Sequence, residues 1–264
     1  MALDFSLGPE QQAFAARVRE AFAPLRGWYR QRRHGDLLEE SWRALANGGF
    51  FAAVASLGDG QTGDDVLRLC LALEEMGAVG LPSMLPVLTA AGAVAVARHG
   101  GEALRRSLLP GIAAGERKLC LAITEAEAGF NTFRIRTRAE RRGGGYAIHG
   151  SKIYTSGADL ADAMLVLARS IPFEECEARG LPKTAGLCWF VVDPRSQGLR
   201  LRPIPTRGEG TLRQFEIDFE GVEVPAEALV GREGEGLPVL LGLVNLERIL
   251  VSGLLAGAAR HCLD

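Results

Sequence analysis

The sequence predicts an α+β protein, in which an N-terminal α-helical bundle is followed by a small antiparallel β-sandwich or barrel domain and one long C-terminal helix. Changes in hydrophobic period support this fold class. Apolar residues recur at helical spacing up to about residue 118, alternate with polar residues to about Val224, and are nearly continuous from Leu237 to Ala259. The predicted domains cover residues 1–118, 119–232 and 233–264.

The first region is expected to form a packed bundle of helices. Ser6 is the expected cap of the first helix, in which apolar residues recur every four positions from Phe14. A second helix is expected from about Ser41 to the glycine pair at 48–49, because glycine commonly ends a helix. Further helices are expected to begin at Thr62, at Ser83 (to Arg98) and at Glu102 (to Ala114).

The middle region carries the signals of short antiparallel strands. The arginine-rich residues 134–142 lead into three glycines and then Y-A-I-H-G, which predicts a hairpin with its arginines on a solvated face. From Gln214 the string Q-F-E-I-D-F-E alternates, so its apolar residues are expected to face inward. The polar segment 174–183 is expected to be a loop, and Lys152 is expected to be a surface charge of the hairpin.

Composition excludes several classes of function. The formal net charge is -2, so no overall field favours nucleic acid or an anionic membrane. The five cysteines are widely spaced and form no C-x-x-C pair or Cys/His cluster, which argues against disulfides and a metal site. The N-terminus lacks the basic and apolar regions of a signal peptide. We therefore expect a cytoplasmic protein.

The segment Leu237–Ala259 is long and apolar enough to span a bilayer. However, Glu247 and Arg248 stand near its centre, where each charge would cost about 2.5–3.5 kcal/mol on insertion scales. We therefore expect a bundle helix, surrounded by the N-terminal helices, by a second subunit or by another protein. This expectation predicts a homo- or hetero-oligomer formed through the C-terminal helix.

Residues 120–157 carry the strongest functional signal. Two short apolar strands end in small and hydroxyl-bearing residues, the first at Thr124 and Gly129 and the second at Ser156, with Tyr154 close by. Such strand ends place backbone N–H groups, hydroxyls and an aromatic ring beside one another. A large, flat, hydrogen-bonding ligand such as a flavin requires this combination.

Three strings resemble those of the acyl-CoA dehydrogenase family, flavoproteins that desaturate acyl thioesters. I-T-E-A-E-A-G at 123–129 is similar to the family's T-E-P-x-A-G-S-D segment, and G-S-K-I-Y-T-S-G-A at 150–158 to its G-x-K-x-[FWY]-[IT]-[TS] segment. F-E-G-V-E-V-P-A-E-A-L-V-G-R-E-G-E-G at 219–236 is similar to the run that precedes the family's next helix. The resemblance covers essentially the whole chain and implies FAD as cofactor, acyl-CoA as substrate and a role in fatty acid metabolism.

The resemblance also implies roles for particular residues of the β domain. Gly129 matches a glycine near the FAD pyrophosphate, and Tyr154 and Ser156 match the aromatic and hydroxyl residues beside the flavin ring. The positions that match contacts to the isoalloxazine are Leu121, Ile123 and Thr124.

In the last helix, Asn245 and Arg248 match positions near the pantetheine arm of acyl-CoA. Glu247 matches the catalytic base of a subset similar to the isovaleryl and long-chain enzymes, where a carboxylate with a raised pKa removes the α-proton. The alternative is a surface or ion-paired glutamate beside Arg248. The resemblance favours this alternative, because many members of the family carry Glu-Arg here without using it for proton transfer.

The chain departs from the family pattern in ways that keep other functions open. Phe130 replaces a serine that helps to bind the cofactor phosphates and the substrate, Asn131 replaces an aspartate, and Ala126 replaces a proline. The sequence also holds only the first helix of the family's C-terminal domain. The first hypothesis is α,β-desaturation of an acyl-CoA with hydride transfer to FAD. The second is a truncated, non-catalytic paralogue that binds acyl-CoA, flavin or a partner subunit, and a flavin-dependent oxidase or monooxygenase is a third.

Overall fold

The computed structural model describes residues 6–27, 34–60, 63–207 and 212–264. Its helices are α1 (Pro9–Phe22), α2 (His34–Gly48), α3 (Phe50–Gly58), α4 (Asp64–Ala78), α5 (Leu85–His99), α6 (Glu102–Ala113), α7 (Phe173–Ala178) and α8 (Leu237–Leu263). Its strands are β1 (Leu119–Ala122), β2 (Arg138–Arg142), β3 (Gly145–Ser156), β4 (Ala163–Arg169), β5 (Leu187–Val192), β6 (Leu199–Ile204), β7 (Gln214–Pro225) and β8 (Leu229–Val230). This order of elements confirms the predicted fold class.

The N-terminal helices differ from the predictions at their starts. Gly8, not Ser6, occupies the N-cap of α1, and its N–H donates to the Gln11 side chain at 2.9 Å. Thr62, the predicted start of α4, lies outside the described residues. α3 was not predicted. It begins directly after Gly49, whose left-handed φ of 91° ends α2 and lets a new helix start in another direction.

α5 connects the helical domain to the sheet. Most of its residues are buried, and it packs along β1. The hydroxyl of Thr89 donates to the Leu119 carbonyl oxygen at 3.1 Å and accepts from the Leu119 N–H at 3.0 Å. Because both residues are buried, these bonds satisfy polar groups that would otherwise destabilise the fold. The position of β1, and therefore of the residues that follow it, is fixed relative to α5.

The strands form one sheet in the order β6-β7-β3-β2-β4-β5-β8, with β1 paired in parallel to β4. The predicted hairpin is confirmed as β2–β3, with Arg142 opposite Gly145. β4 is buried on both faces. Leu165 belongs to the core shared with the helices, whereas Val166 belongs to a second core with β3 and β7. The sheet therefore folds over itself, as in a small sandwich or barrel.

Two local predictions in the β domain are corrected. Residues of the predicted polar loop form α7, because Phe173 and Cys176 are buried on one side of a helical turn. The arginine-rich segment is extended only from Arg138, while Arg134 belongs to a short 3₁₀ turn. The alternation predicted for β7 is confirmed by its burial pattern.

α8 lies so close to α4 that only glycine fits at the contact. A Cβ on Gly257 would lie 1.9 Å from the Glu74 carbonyl oxygen, and a Cβ on Gly77 would lie 2.4 Å from the Leu254 carbonyl oxygen. Arg260 adds an ion pair to Glu74 at 2.6 Å. The helix that carries three of the predicted site residues is therefore fixed by backbone contact with the N-terminal domain.

The opposite face of α8 is open. Leu241, Ile249 and Leu255 are 52%, 48% and 59% exposed. Within the described chain, α8 is also the helix whose length and apolar composition would allow it to cross a membrane. The expectation of a helix surrounded on every side is therefore met on one face only, where α4 and α5 cover it.

Candidate functional site

The chain segments that follow β1 and end β3 meet at one point. The Ile153 N–H donates to the Thr124 carbonyl oxygen at 2.9 Å. A Cβ built on Gly129 would lie 3.7 Å from the Thr124 methyl carbon, so the turn through Gly129 folds back over Thr124. Tyr154 follows directly after Ile153. The structure therefore brings together three of the predicted site residues, and we call this region the β1–β3 junction.

Tyr154 has a strained backbone and an exposed ring. Its φ is 57°, in the left-handed region, which costs a non-glycine residue about 1–2 kcal/mol. The pairing of β3 with β7 shifts between Lys152 and Thr155, so Ile153 and Tyr154 form a β-bulge. The tyrosine side chain is 60% exposed. Strain and an exposed aromatic ring at one position are typical of a ligand-binding site.

Glu125 and Lys152 form a buried ion pair next to the junction. The Lys152 Nζ donates to Glu125 Oε1 at 2.8 Å and to the Ile123 carbonyl oxygen at 2.9 Å. Glu125 also accepts hydrogen bonds from the backbone N–H groups of Arg136 at 2.6 Å and Thr137 at 2.9 Å. The pair thus connects the segment after β1, the segment before β2, and β3.

Burial shifts the pKa values of both partners. Burial lowers the pKa of Lys152 to about 8, although Glu125 opposes this shift. Burial alone would raise the pKa of Glu125, but Lys152 and the hydrogen bonds from Thr137 and Arg136 outweigh it, so this pKa is lowered. The lowered pKa keeps Glu125 ionised at neutral pH, and this carboxylate favours the charged form of Lys152.

The prediction that Lys152 is a surface charge is wrong. Its side chain is 0% exposed, and a carboxylate and a carbonyl oxygen compensate the burial of its charge. Sequence reasoning missed the pair. Both residues stand in the strings that resemble the family, but they are 27 positions apart, and neither string shows that they meet.

Ser156 is held at the end of β3. Its hydroxyl donates to the Gln214 amide oxygen at 3.0 Å and accepts from the Gln214 amide nitrogen at 2.8 Å. Gly157 then turns the chain with a φ of 67°, and a Cβ there would lie 3.2 Å from Leu85 at the start of α5. The Ser156 oxygen keeps capacity for a second acceptor bond. The neighbouring hydroxyl of Thr155 is buried and has no partner within the described residues.

The two apolar residues predicted at the isoalloxazine lie in different environments. Leu121 is 7% exposed and packs on α5, where a Cβ on Gly92 would lie 3.6 Å from its Cδ2. Its side chain belongs to the core, so only its backbone could face a ligand. Ile123 is half-buried, and its carbonyl oxygen holds Lys152.

The turn after Gly129 carries the residues that depart from the family pattern. Phe130 is fully exposed, and Asn131 and Ala126 are exposed as well. A phenyl ring in this position buries no apolar surface, so packing of the chain does not account for it. The ring also leaves the β1–β3 junction uncovered.

The predicted residues of α8 point in different directions. At 3.6 residues per turn, Asn245 and Glu247 lie about 160° apart around the helix axis. Asn245 lines a groove of about 320 Å³ against α5, and Arg248 is exposed. Glu247 is half-buried, and burial raises its pKa while Arg248 opposes the shift. Among the described residues, no ion pair joins Glu247 to a cation, so the structure does not support the ion-paired alternative.

The family models of two acyl-CoA dehydrogenase domains match this chain. The N-terminal domain matches residues 8–116 and the middle domain matches residues 120–222. The chain belongs to the acyl-CoA dehydrogenase family.

Relatives and solved structures agree with this assignment to the acyl-CoA dehydrogenases. Acyl-CoA dehydrogenase FadE12 of Mycobacterium tuberculosis is 34% identical over 225 residues, which cover 85% of this chain and 56% of that protein. Mitochondrial isovaleryl-CoA dehydrogenase of Pongo abelii is 29% identical over 239 residues, which cover 86% of this chain and 53% of that protein. The structure of butyryl-CoA dehydrogenase from Megasphaera elsdenii is 25% identical with a TM-score of 0.83, over 99% of this chain and 68% of that chain. The chain thus spans a little over half the length of these curated relatives.

The residues of the β1–β3 junction fit the FAD of acyl-CoA dehydrogenases. Thr124 is half-buried, and its hydroxyl has no hydrogen-bond partner in the part of the chain that the structure describes. A Cβ on Gly129 would meet no atom within 4 Å other than the Thr124 methyl, which leaves space beside the turn. Thr124 and Ser156 could bond the polar edge of an isoalloxazine, and the Tyr154 ring could pack on its face.

Proposed function

We propose that this chain is part of a cytoplasmic, FAD-dependent acyl-CoA dehydrogenase that introduces an α,β double bond into an acyl-CoA thioester. The observation that carries the proposal is the β1–β3 junction. There, a strained and exposed Tyr154 directly follows Ile153, whose N–H bonds the Thr124 carbonyl oxygen, on a fold shared with acyl-CoA dehydrogenases. The flat isoalloxazine of FAD suits both side chains, because its face could pack on the Tyr154 ring and its polar edge could bond the Thr124 hydroxyl.

In the proposed reaction, bound FAD would supply the acceptor for the β-hydrogen, which leaves the substrate as a hydride. Glu247 takes the α-proton, and the electron pair of the broken α C–H bond becomes the new carbon–carbon π bond. Thr124 and Ser156 orient the flavin ring by hydrogen bonds, together with the backbone at Leu121 and Ile123. Asn245 and Arg248 are proposed to contact the pantetheine arm, and Gly129 is proposed to lie near the pyrophosphate of FAD.

The absorption spectrum of the purified chain tests this function. After incubation with FAD and removal of the excess, we expect one flavin per chain, and bleaching of the flavin band on anaerobic addition of an acyl-CoA. Tyr154→Ala should reduce the flavin content, because the ring that packs on the isoalloxazine is lost. A chain that retains no FAD under these conditions would falsify the proposal.

Glu247→Gln tests the proposed base. We expect the variant to keep its flavin and to lose bleaching, since the amide cannot accept the proton. In the unchanged chain, the bleaching rate should rise with pH through a pKa above the ordinary 4.5 of glutamate, because burial raises the pKa of Glu247. Glu235→Gln, at an exposed position before α8, is the matched control and should bleach normally. Normal bleaching by Glu247→Gln would remove this residue from the mechanism.

A non-catalytic binding subunit is the second candidate, and Phe130 favours it. This exposed phenyl stands where the family has a serine that contacts cofactor phosphates and substrate. Under this function the chain binds acyl-CoA but shows no bleaching, and Phe130→Ser should strengthen FAD binding. Bleaching by the unchanged chain excludes this candidate.

We further propose that the open face of α8 contacts a second subunit, of this chain or of a partner. The three exposed leucine and isoleucine side chains on this face form an apolar strip of the kind that marks interfaces. Sedimentation at increasing concentration should show an oligomer, and Leu241→Glu with Leu255→Glu should dissociate it. A chain that sediments as a monomer at every concentration contradicts self-association.

A further inference from the structure

The Glu125–Lys152 pair contacts the β1–β3 junction from both sides. On the β1 side, Lys152 bonds the Ile123 carbonyl oxygen, and Glu125 follows Thr124 directly in the chain. On the β3 side, the residue after Lys152 is Ile153, whose N–H donates to the Thr124 carbonyl oxygen. The residues on either side of Thr124 are thus tied to one ammonium group.

Folding alone does not require charges at this position. A buried ion pair is often no more stabilising than apolar side chains of similar volume. The Lys152 side chain is 0% exposed, so solvent does not reach it. The charges instead fix the positions of particular backbone atoms, because charge-assisted hydrogen bonds are strong and geometrically specific.

The strained backbone of Tyr154 is a second observation that indicates a functional role for the pair. A left-handed tyrosine persists only where the surrounding structure determines its backbone. The bulge that contains it begins directly after Lys152, so the anchored ammonium fixes the start of the strained segment. Thr124 and Tyr154 are therefore placed by the same buried group.

We propose that the Glu125–Lys152 pair is a positioning element that orders Thr124 and Tyr154 for the flavin ring before the cofactor binds. This inference rests on the proposed function, because FAD is its ligand. A site ordered in advance binds more tightly, since the ligand does not have to order the loops.

The double variant Glu125→Gln with Lys152→Met tests the proposal, because it leaves neither charge buried alone. Glu75→Gln is the matched control. Glu75 is another buried carboxylate, which pairs with Arg19 of α1 at 2.8 Å and with Arg260 of α8 at 3.2 Å. For each protein we would measure the FAD dissociation constant by fluorescence quenching, the position of the flavin absorption band, the urea midpoint, and hydrogen exchange of the Ile153 amide without FAD.

The double variant should keep a urea midpoint near that of the unchanged chain, while its FAD dissociation constant rises about tenfold or more, the factor that a charge-assisted hydrogen bond is worth. Its flavin band should shift, and the Ile153 amide should exchange faster. Glu75→Gln should lower the urea midpoint. It should leave the FAD dissociation constant, the flavin band and the exchange of the Ile153 amide unchanged.

An unchanged dissociation constant and unchanged exchange in the double variant would overturn the proposal. A loss of affinity in Glu75→Gln as large as in the double variant would also overturn it, since affinity would then follow stability alone. If the unchanged chain binds no FAD, the proposed function fails. Exchange at Ile153 still decides the positioning role in that case: faster exchange in the double variant supports it, and equal exchange refutes it.

Discussion

Replacing Gly257 by alanine should destabilise the protein by forcing α8 away from α4. The added Cβ would lie 1.9 Å from the Glu74 carbonyl oxygen and 2.9 Å from the Ala78 backbone nitrogen, whereas ordinary contact begins at 3.4 Å. The nearest contact must therefore lengthen by about 1.5 Å, and both atoms are backbone, so no side chain can move aside. Overpacking of this kind costs about 1–3 kcal/mol.

Gly242→Ala provides the matched comparison on the same helix. A Cβ on Gly242 would meet no atom within 4 Å, so this variant gains only the helix propensity of alanine, about 1 kcal/mol. Because Gly257→Ala gains the same propensity, the difference between the two variants isolates the steric cost. We expect Gly257→Ala to be less stable than Gly242→Ala by about 1–3 kcal/mol, or roughly 2–4 °C in Tm for each kcal/mol. Urea and thermal unfolding measure this difference, and equal stability of the two variants would refute the packing of α8 on α4.

Two further expectations concern the β1–β3 junction. The double variant Glu125→Gln with Lys152→Met should flatten the acid side of the stability profile, because it removes the titrating carboxylate without leaving the Lys152 charge buried alone. The folded pKa of Glu125 lies below its ordinary 4.5, so its stabilising contribution is complete above that pH and is lost as the pH falls through the folded value. Unfolding free energies from about pH 6 to pH 3 check this, and a variant profile as steep as the original contradicts it. Tyr154→Gly should remove left-handed strain and raise the free energy of unfolding by up to about 1 kcal/mol while weakening FAD binding, and a clear drop in Tm would show that the tyrosine is not strained.

The fold could be predicted because its signals are local. The change from helical to alternating period separates the helices from the strands, and the glycines between Arg142 and Tyr146 predict the β2–β3 hairpin. The end of α2 at the glycine pair was predicted, but α3 was missed because no side chain caps its start. Its N-cap is Gly49, so no Ser, Thr, Asp or Asn marks the apolar run from Phe50 as a new helix.

The sequence predicted only part of the candidate site. The resemblance marked Thr124, Gly129 and Tyr154, and the structure brings these together. It could not mark the Glu125–Lys152 pair as buried, because the burial of a lysine depends on partners that arrive from distant segments.

The sequence alone is enough to show that the candidate residues on α8 point in different directions. Asn245 and Glu247 are two positions apart, and a helix turns about 200° over that interval, so they cannot share a face. Matching each residue separately to the family concealed this relation. Burial raises the pKa of Glu247, whereas the Asn245 amide does not take up a proton, so Glu247 is the residue to test for proton transfer.

Different interactions hold the cofactor-binding part and the proton-accepting part of the proposed site. The roles of the two parts can therefore be tested separately by substitution. The β1–β3 junction depends on a buried ion pair, whereas the position of Glu247 depends on the glycine contact between α8 and α4. Disruption of the pair should therefore weaken FAD binding, while Gly257→Ala should leave FAD bound and slow the bleaching step, because it displaces the base relative to the substrate. A loss of FAD affinity in Gly257→Ala equal to that of the pair variants would mean that α8 itself forms part of the cofactor site, and the division of roles would be wrong.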